Sequence, residues 1–220
     1  AVHVGTLLSV LLYFREDVAK MLTGLVNVKS DGAKLNFYVI LASIPVILTG
    51  LALHIIKPNW LLAVEIMAWS TLIFGVILWI ADRTKNFSKT LENMNAKDAI
   101  LIGLVQALAL VPGTSRSGIT MTAGRFLGYS RTESAHFSLL LSIIAIAGAG
   151  TIGALQLIES DSADLGLEAL LGIIISFIAG WLSIAAMMTW LKRASFTPFA
   201  IYRVILGIGL LTLIYSGHLS

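Results

Sequence analysis

Cysteine is absent from this chain of 220 residues, and charged residues make up only 12% of it. The absence of cysteine excludes a disulfide framework and thiol chemistry. The low charge accompanies a hydrophobic content of 57% and a mean hydropathy of +0.91. Soluble domains are about 45–50% apolar and about 25% charged, so the composition excludes a soluble domain, a disordered chain and a nucleic-acid-binding module. The chain is predicted to be an integral membrane protein with no nucleic acid partner.

Apolar runs of the length needed to cross a bilayer, roughly 20 residues, occur five times. These predicted spans are Phe37–Ile56, Trp60–Ile80, Phe137–Ile158, Leu167–Trp190 and Phe199–Tyr215. A further run, Ala1–Phe14, is apolar but short, and is expected to be the end of a helix that begins before this sequence.

One apolar run, Ala99–Val111, is too short to span and is ended by Pro112-Gly113. It predicts a segment that enters the membrane and turns back. A second short helix is expected from about Ser117 to Leu127, with Gly128 as its C-terminal stop. After it, Ser130 and Glu133 have the spacing of a capping box, which predicts that the next helix begins near Arg131.

The distribution of basic residues supports this hairpin. Loops 15–36, 81–98 and 191–198 carry Lys and Arg, whereas loop 159–166 carries three acidic residues and no basic one. Short cytoplasmic loops hold the excess of Lys and Arg. All three basic loops lie on the cytoplasmic side only if residues 99–130 enter and leave by that side.

The same arrangement suggests an internal repeat. Residues 99–220 form a hairpin followed by three spans, and residues 1–98 form three spans without a hairpin. Transporter folds often consist of inverted repeats with a site made by broken helices at the repeat interface. We therefore expect one membrane domain, 1–220, that is an all-α, polytopic, inverted-repeat helical bundle with a re-entrant helix–loop–helix hairpin. Its first hairpin is expected to precede Ala1.

The segment after the short run is rich in groups that bind anions. It reads Pro112-Gly113-Thr114-Ser115-Arg116-Ser117-Gly118-Ile119-Thr120. A helix N-terminus offers free N–H groups, glycines allow close approach, and the Arg guanidinium matches phosphate in two-point contact. The alternative is that Arg116 extends to the interface and meets lipid headgroups.

This nine-residue segment resembles the PGxSRSxxT signature of the undecaprenyl pyrophosphate phosphatase family, also called the bacitracin-resistance protein family. The resemblance extends to Gln106–Leu110 and to Ser195–Arg203. It implies a multi-pass enzyme of the bacterial inner membrane that removes the terminal phosphate of a polyprenyl pyrophosphate lipid, so that the lipid carrier is reused for peptidoglycan. Membrane lipids are the other expected partners, and a homodimer stays open.

The resemblance also assigns roles to residues. Arg116 would hold the pyrophosphate, Ser115 and Ser117 would donate to its oxygens, and Thr120 would line the same pocket. The substrate-binding set adds Gly113, Thr114, Gly118 and Arg203. A divalent cation, Mg²⁺ or Ca²⁺, is implied, but the family's Glu-rich motif with its Ser and His has no match here. Its ligands are expected before Ala1, so this chain alone is expected to be inactive.

Other polar residues have two interpretations each. Glu65 extends to the interface or substitutes for a metal ligand, and His136 packs or acts in acid–base chemistry. Arg125 and Arg131 are interpreted as anchors at the cytoplasmic face, with a ligand role as the alternative. Arg203 meets a phosphate or faces the interface. The alternative functions are a lipid-phosphate transporter or flippase and a non-catalytic anion-binding membrane protein.

Overall fold

The computed structural model describes residues 2–58, 61, 63–84, 89–159 and 167–218, with side chains except at residue 149 and residues 151–159. Helices account for the regular structure of these residues, and no strand occurs among them. The helices are α1 (Val2–Tyr13), α2 (Arg15–Val26), α3 (Asp31–Ile56), α4 (Val64–Asp82), α5 (Ala96–Ala107), α6 (Arg116–Phe126), α7 (Arg131–Glu159), α8 (Leu167–Leu191) and α9 (Thr197–Tyr215). The all-α prediction is confirmed.

Four helices are long and apolar enough to cross a membrane, namely α3, α4, α8 and α9. The predicted span Phe137–Ile158 lies within α7. The prediction of a loop over residues 15–36 is wrong, because α2 and the first turn of α3 occupy most of it. Of the basic residues in this stretch, Arg15 and Lys20 lie on α2, Lys34 lies on α3, and Lys29 lies between the two helices. The predicted span start at Trp60 lies outside the described residues, and α4 begins at Val64.

The chain divides into two compact units, residues 1–39 with 139–190 and residues 40–138 with 191–220. In the first unit, α1 and α8 approach closely at small residues. A Cβ on Gly5 would collide with the backbone of α8 at Ile173, and a Cβ on Gly180 would lie 2.6 Å from Oγ of Ser9. The predicted division into two repeats at residue 98 stays a prediction.

The second unit contains the predicted hairpin. Helix α5 leads into a 3-10 turn at Leu108–Leu110, and α6 follows the loop 111–115. Helix α6 ends at Phe126, and the predicted stop, Gly128, follows with φ +92°, in the left-handed region that glycine adopts at helix ends. The amide of Tyr129 then donates to the carbonyl of Gly124, 3.0 Å away.

Both ends of the hairpin meet at its base. The hydroxyl of Tyr129, just after α6, donates to Oδ2 of Asp98, at the start of α5, over 2.7 Å. Lys89 Nζ lies 2.8 Å from the same oxygen, and the Lys89 amide donates to the carbonyl of Gly128. The chain therefore leaves this region and returns to it, which confirms the helix–loop–helix hairpin.

Helix α4 lies beside the hairpin and packs against α9. Glycines allow the close approach, since a Cβ on Gly75 would lie 2.9 Å from Cβ of Arg203 and a Cβ on Gly207 would lie 2.8 Å from Cβ of Leu72. On the other side, Gly103 of α5 lies directly against the backbone of Ala42 in α3. The hairpin is thus held between α3 and α4.

Candidate functional site

The loop between α5 and α6 turns sharply at Gly113, which has φ +87°. A side chain is disfavoured by this backbone conformation and by the space around it. A Cβ at Gly113 would collide with the carbonyl oxygen of Met67 and lie 2.7 Å from Oγ1 of Thr71. Glycine is therefore required here by contact with α4, in addition to any approach of a ligand.

The carbonyl oxygens of the loop are engaged by neighbouring helices. Ser70 of α4 donates to the carbonyl of Pro112. The carbonyl of Gly113 accepts from Oγ1 of Thr71 at 3.2 Å and from Nη2 of Arg203 at 2.8 Å. These bonds fix the loop against α4 and α9, and they occupy the partial negative charges that would repel an anion.

The first turn of α6 is capped from within the motif. Ser115 accepts a hydrogen bond from the amide of Gly118 at 3.1 Å and lies 3.4 Å, Oγ to Oγ, from Ser117. The first N–H groups of a helix have no partner within the helix. The Ser115 hydroxyl accepts the N–H of Gly118. The N–H groups of Arg116 and Ser117 therefore remain at the N-terminus for an incoming anion.

Two buried side-chain groups beside this N-terminus lack a partner. Oγ1 of Thr114 and Nη1 of Arg116 are buried and make no hydrogen bond to any described residue. Thr114 is 4% exposed, so its side chain is shielded from bulk solvent. An unsatisfied buried donor costs about 1–3 kcal/mol, more when charged. A ligand bound here could complete their bonding, and a guanidinium beside unbonded helix amides fits an anionic ligand.

The other predicted site residues lie in the same segment with different contacts. Thr120 donates to the carbonyl of Arg116 at 3.0 Å and lies 2.7 Å from Oγ of Ser138 on α7. Gly118 lies on the first turn, where a Cβ would be 3.1 Å from Cβ of Ser115. Arg203 donates through Nη2 to the carbonyl of Gly113 in the loop and to the carbonyl of Thr71 in α4. Their roles toward a substrate stay predictions.

Sequence reasoning missed three residues that hold the site. Ser70 and Thr71 anchor the loop, and Asp82 binds Arg131 through two hydrogen bonds. The available signal was the pair of adjacent hydroxyls in an apolar span. The interpretation of Arg125 as an interface anchor is wrong, because its side chain is 0% exposed and lies in the Asp82 cluster.

A cation site of the usual kind is not formed by the residues that the structure describes. No group of three His, Cys, Asp or Glu side chains comes together among them. Asp98 is paired with Lys89, and Asp82 with Arg131. Glu65 is exposed on the first turn of α4 and accepts a hydrogen bond of 2.6 Å from Tyr215. His136 is half-buried on α7.

Known proteins are similar to this chain over almost its whole length. The model of the bacitracin resistance protein BacA family matches residues 1–209. The chain is 46% identical to undecaprenyl-diphosphatase 1 of Rhodospirillum rubrum, over 99% of the chain and 79% of that protein. It is 42% identical to the undecaprenyl-diphosphatases of Jannaschia sp. and Alteromonas mediterranea, over 98% of the chain and 83% of each. The chain therefore belongs to the BacA bacitracin resistance protein family.

Proposed function

We infer that the protein is an integral membrane phosphatase that hydrolyses undecaprenyl diphosphate to undecaprenyl phosphate and inorganic phosphate. The reaction recycles the lipid carrier for peptidoglycan synthesis and confers bacitracin resistance. The similar proteins are named undecaprenyl-diphosphatases. The structural observation that supports it most is the pair of buried, unpartnered groups, Thr114 Oγ1 and Arg116 Nη1, beside the N-terminus of α6.

Phosphoryl transfer depends mainly on positioning the phosphates and stabilising their charge. In our proposal the Arg116 guanidinium binds the diphosphate in two-point contact, which a planar fork allows and a point charge does not. The amides of Arg116 and Ser117 and the hydroxyls of Thr114, Ser115 and Ser117 donate to the remaining oxygens. Gly113 and Gly118 keep the approach to these donors clear.

Thr120 and Arg203 act at the edge of this site. Thr120 is proposed to line the pocket below Arg116, and its bond to Ser138 orients it. Arg203 is proposed to contribute positive charge to the diphosphate while its Nη2 holds the carbonyl of Gly113. A guanidinium has five N–H donors, so the two contacts are compatible.

A divalent cation remains part of the proposal. When bound, such an ion neutralises phosphate charge and lowers the pKa of water. The described residues of the hairpin do not fit it, because no carboxylate lies between Asp98 and Glu133 and tight binding of hard cations uses oxygen ligands, usually carboxylates. We derive no step through the ion, and propose that its ligands lie outside this hairpin.

The surroundings of the enzyme follow from its apolar helices. The polyprenyl tail is proposed to lie laterally against the spans, and the bacterial inner membrane is the proposed location. A homodimer is proposed as the assembly to be tested by mass measurement in detergent or nanodiscs.

The deciding experiment measures phosphate release from undecaprenyl diphosphate by the full-length protein in detergent with Mg²⁺ or Ca²⁺. Arg116→Ala is the matched inactive variant. Movement of the lipid between leaflets of a vesicle without phosphate release would favour the transporter, and diphosphate binding with neither activity would favour the non-catalytic alternative.

A further inference from the structure

Helix α4 ends in a buried carboxylate that contacts three other elements. Asp82 is 4% exposed. Its Oδ1 lies 2.6 Å from Nε of Arg131, the first residue of α7, and 3.6 Å from Nε of Arg125, in the last turn of α6. Its Oδ2 accepts hydrogen bonds from Nη2 of Arg131 at 3.2 Å and from the amide of Phe196, the residue before α9, at 2.9 Å. One side chain thus joins the ends of α6, α7 and α9.

Arg125 strengthens this junction by binding carbonyl oxygens. Its Nη1 donates to the carbonyl of Tyr129 at 2.8 Å. Its Nη2 donates to the backbone carbonyls of Asp82 at 3.3 Å and of Thr84 at 3.4 Å. The guanidinium is fully buried. A movement of α6 would therefore break these hydrogen bonds without solvent to replace them. The C-terminal end of the half-helix is fixed to the C-terminal end of α4.

The opposite end of α6 is fixed to the same helix. Ser70 and Thr71 bind the carbonyls of Pro112 and Gly113. Twelve residues separate Ser70 from Asp82 on α4, about 18 Å of helix at 1.5 Å per residue, and thirteen separate their partners Pro112 and Arg125, of which the last nine steps lie in α6. Because both ends of α6 are held at matching heights on α4, the depth of Arg116 depends on both contacts.

A buried ionic cluster is a weak device for stability alone, because desolvation of its charges offsets their attraction. What such a cluster adds is a defined geometry. We propose that Asp82 is a positioning residue for diphosphate hydrolysis: through Arg125 and Arg131 it sets the depth and tilt of α6, and hence the place of Arg116. This inference rests on the proposed function.

The kinetic test compares Asp82→Asn and Arg131→Lys with the wild-type full-length enzyme. Arg131→Lys keeps the charge and loses the two-point contact, at a side chain that is 32% exposed, so it is expected to fold. A misplacement of about 1 Å at a reacting centre costs on the order of 100-fold in rate. We expect kcat to fall roughly 10- to 100-fold in both variants, with KM changed by less than about threefold, since a misplaced Arg116 would lose contacts made in the transition state more than those made in ground-state binding.

Val10→Ala is the control for a purely structural effect. Val10 is a core residue of the other unit, at 4% exposure, and its truncation lowers stability without touching the Asp82 cluster. Its kcat per folded molecule should equal the wild-type value even if its thermal midpoint falls as far as that of Asp82→Asn. Wild-type kcat in Asp82→Asn and Arg131→Lys would overturn the proposal.

A second measurement does not depend on activity. The sequence has no cysteine, so spin labels can be placed at introduced cysteines in α4 and α6, at the exposed positions Val76 and Phe126. We expect the distance between them to shift or broaden in Asp82→Asn and to stay unchanged in Val10→Ala. An unchanged distance in Asp82→Asn would overturn the proposal. A wild-type protein that releases no phosphate would overturn the proposed function, while the distances would still decide the positioning role.

Discussion

Thr114 and Thr122 form a natural pair for testing whether the unpartnered groups mark the ligand site. Both are buried, at 4% and 3% exposure. The Thr114 hydroxyl has no partner among the described residues, whereas that of Thr122 donates to the carbonyl of Gly118 at 2.7 Å. Replacing each by valine removes one hydroxyl and keeps the shape of the side chain.

The two substitutions should change stability in opposite directions. An unsatisfied buried hydroxyl costs about 1–3 kcal/mol, so Thr114→Val should stabilise the ligand-free protein by about that amount. For a chain of this size 1 kcal/mol corresponds to about 2–4 °C, so the thermal midpoint should rise by roughly 2–12 °C. Thr122→Val loses a made hydrogen bond and should destabilise the protein by about 0.5–1.5 kcal/mol.

Activity should follow the opposite order. If the Thr114 hydroxyl donates to a phosphate oxygen, Thr114→Val should lower phosphate release roughly 10- to 100-fold. Thr122→Val should keep turnover close to that of the wild type. Thermal unfolding in detergent without substrate, followed by a phosphate-release assay on the same preparations, measures both. A lower midpoint for Thr114→Val, or full turnover in it, would refute the assignment of Thr114 to the ligand site.

Three further predictions concern the hairpin. Arg116→Ala should remove nearly all phosphate release, and Arg116→Lys should recover little, because an ammonium cannot replace the two-point contact; near-normal turnover in Arg116→Lys would contradict that contact. Gly113→Ala should destabilise the protein by at least about 1–2 kcal/mol from its positive φ alone, whereas Gly209→Ala, with open space around it, should be neutral or stabilising in thermal unfolding. Single cysteines at Asn93 and Thr132 should both react with a membrane-impermeant reagent from the cytoplasmic side, and labelling from opposite sides would disprove the re-entrant topology.

The features that sequence predicted well are those coded within a few residues. Pro112-Gly113 and Gly128 mark the turn and the end of the hairpin through backbone preferences, and both glycines have positive φ. Ser130 marks the start of α7, where its Oγ accepts the amide of Glu133 at 3.2 Å. A capping residue acts on the next turn, so no knowledge of the rest of the fold is needed.

What sequence could not supply is the set of partners brought together by folding. Glu133 should have returned to the Ser130 amide in a capping box, but its carboxylate accepts from the amide of Leu91 at 2.9 Å. Arg125 looked like an interface residue because it lies near a helix end, and its burial depends on Asp82, more than forty residues earlier. Such contacts depend on which helices become neighbours, which local patterns do not determine.

The closed base of the hairpin has a consequence for the order in which the chain is synthesised. Asp98 lies 31 residues before Tyr129, its partner at the hairpin base. When α5 leaves the ribosome, Gly128, Tyr129 and the whole of α6 follow within 22 residues and are still inside the exit tunnel. Backbone groups left without partners in hydrocarbon are costly. We therefore expect the first leg to stay at the membrane surface until Tyr129 has emerged, so that both legs enter together.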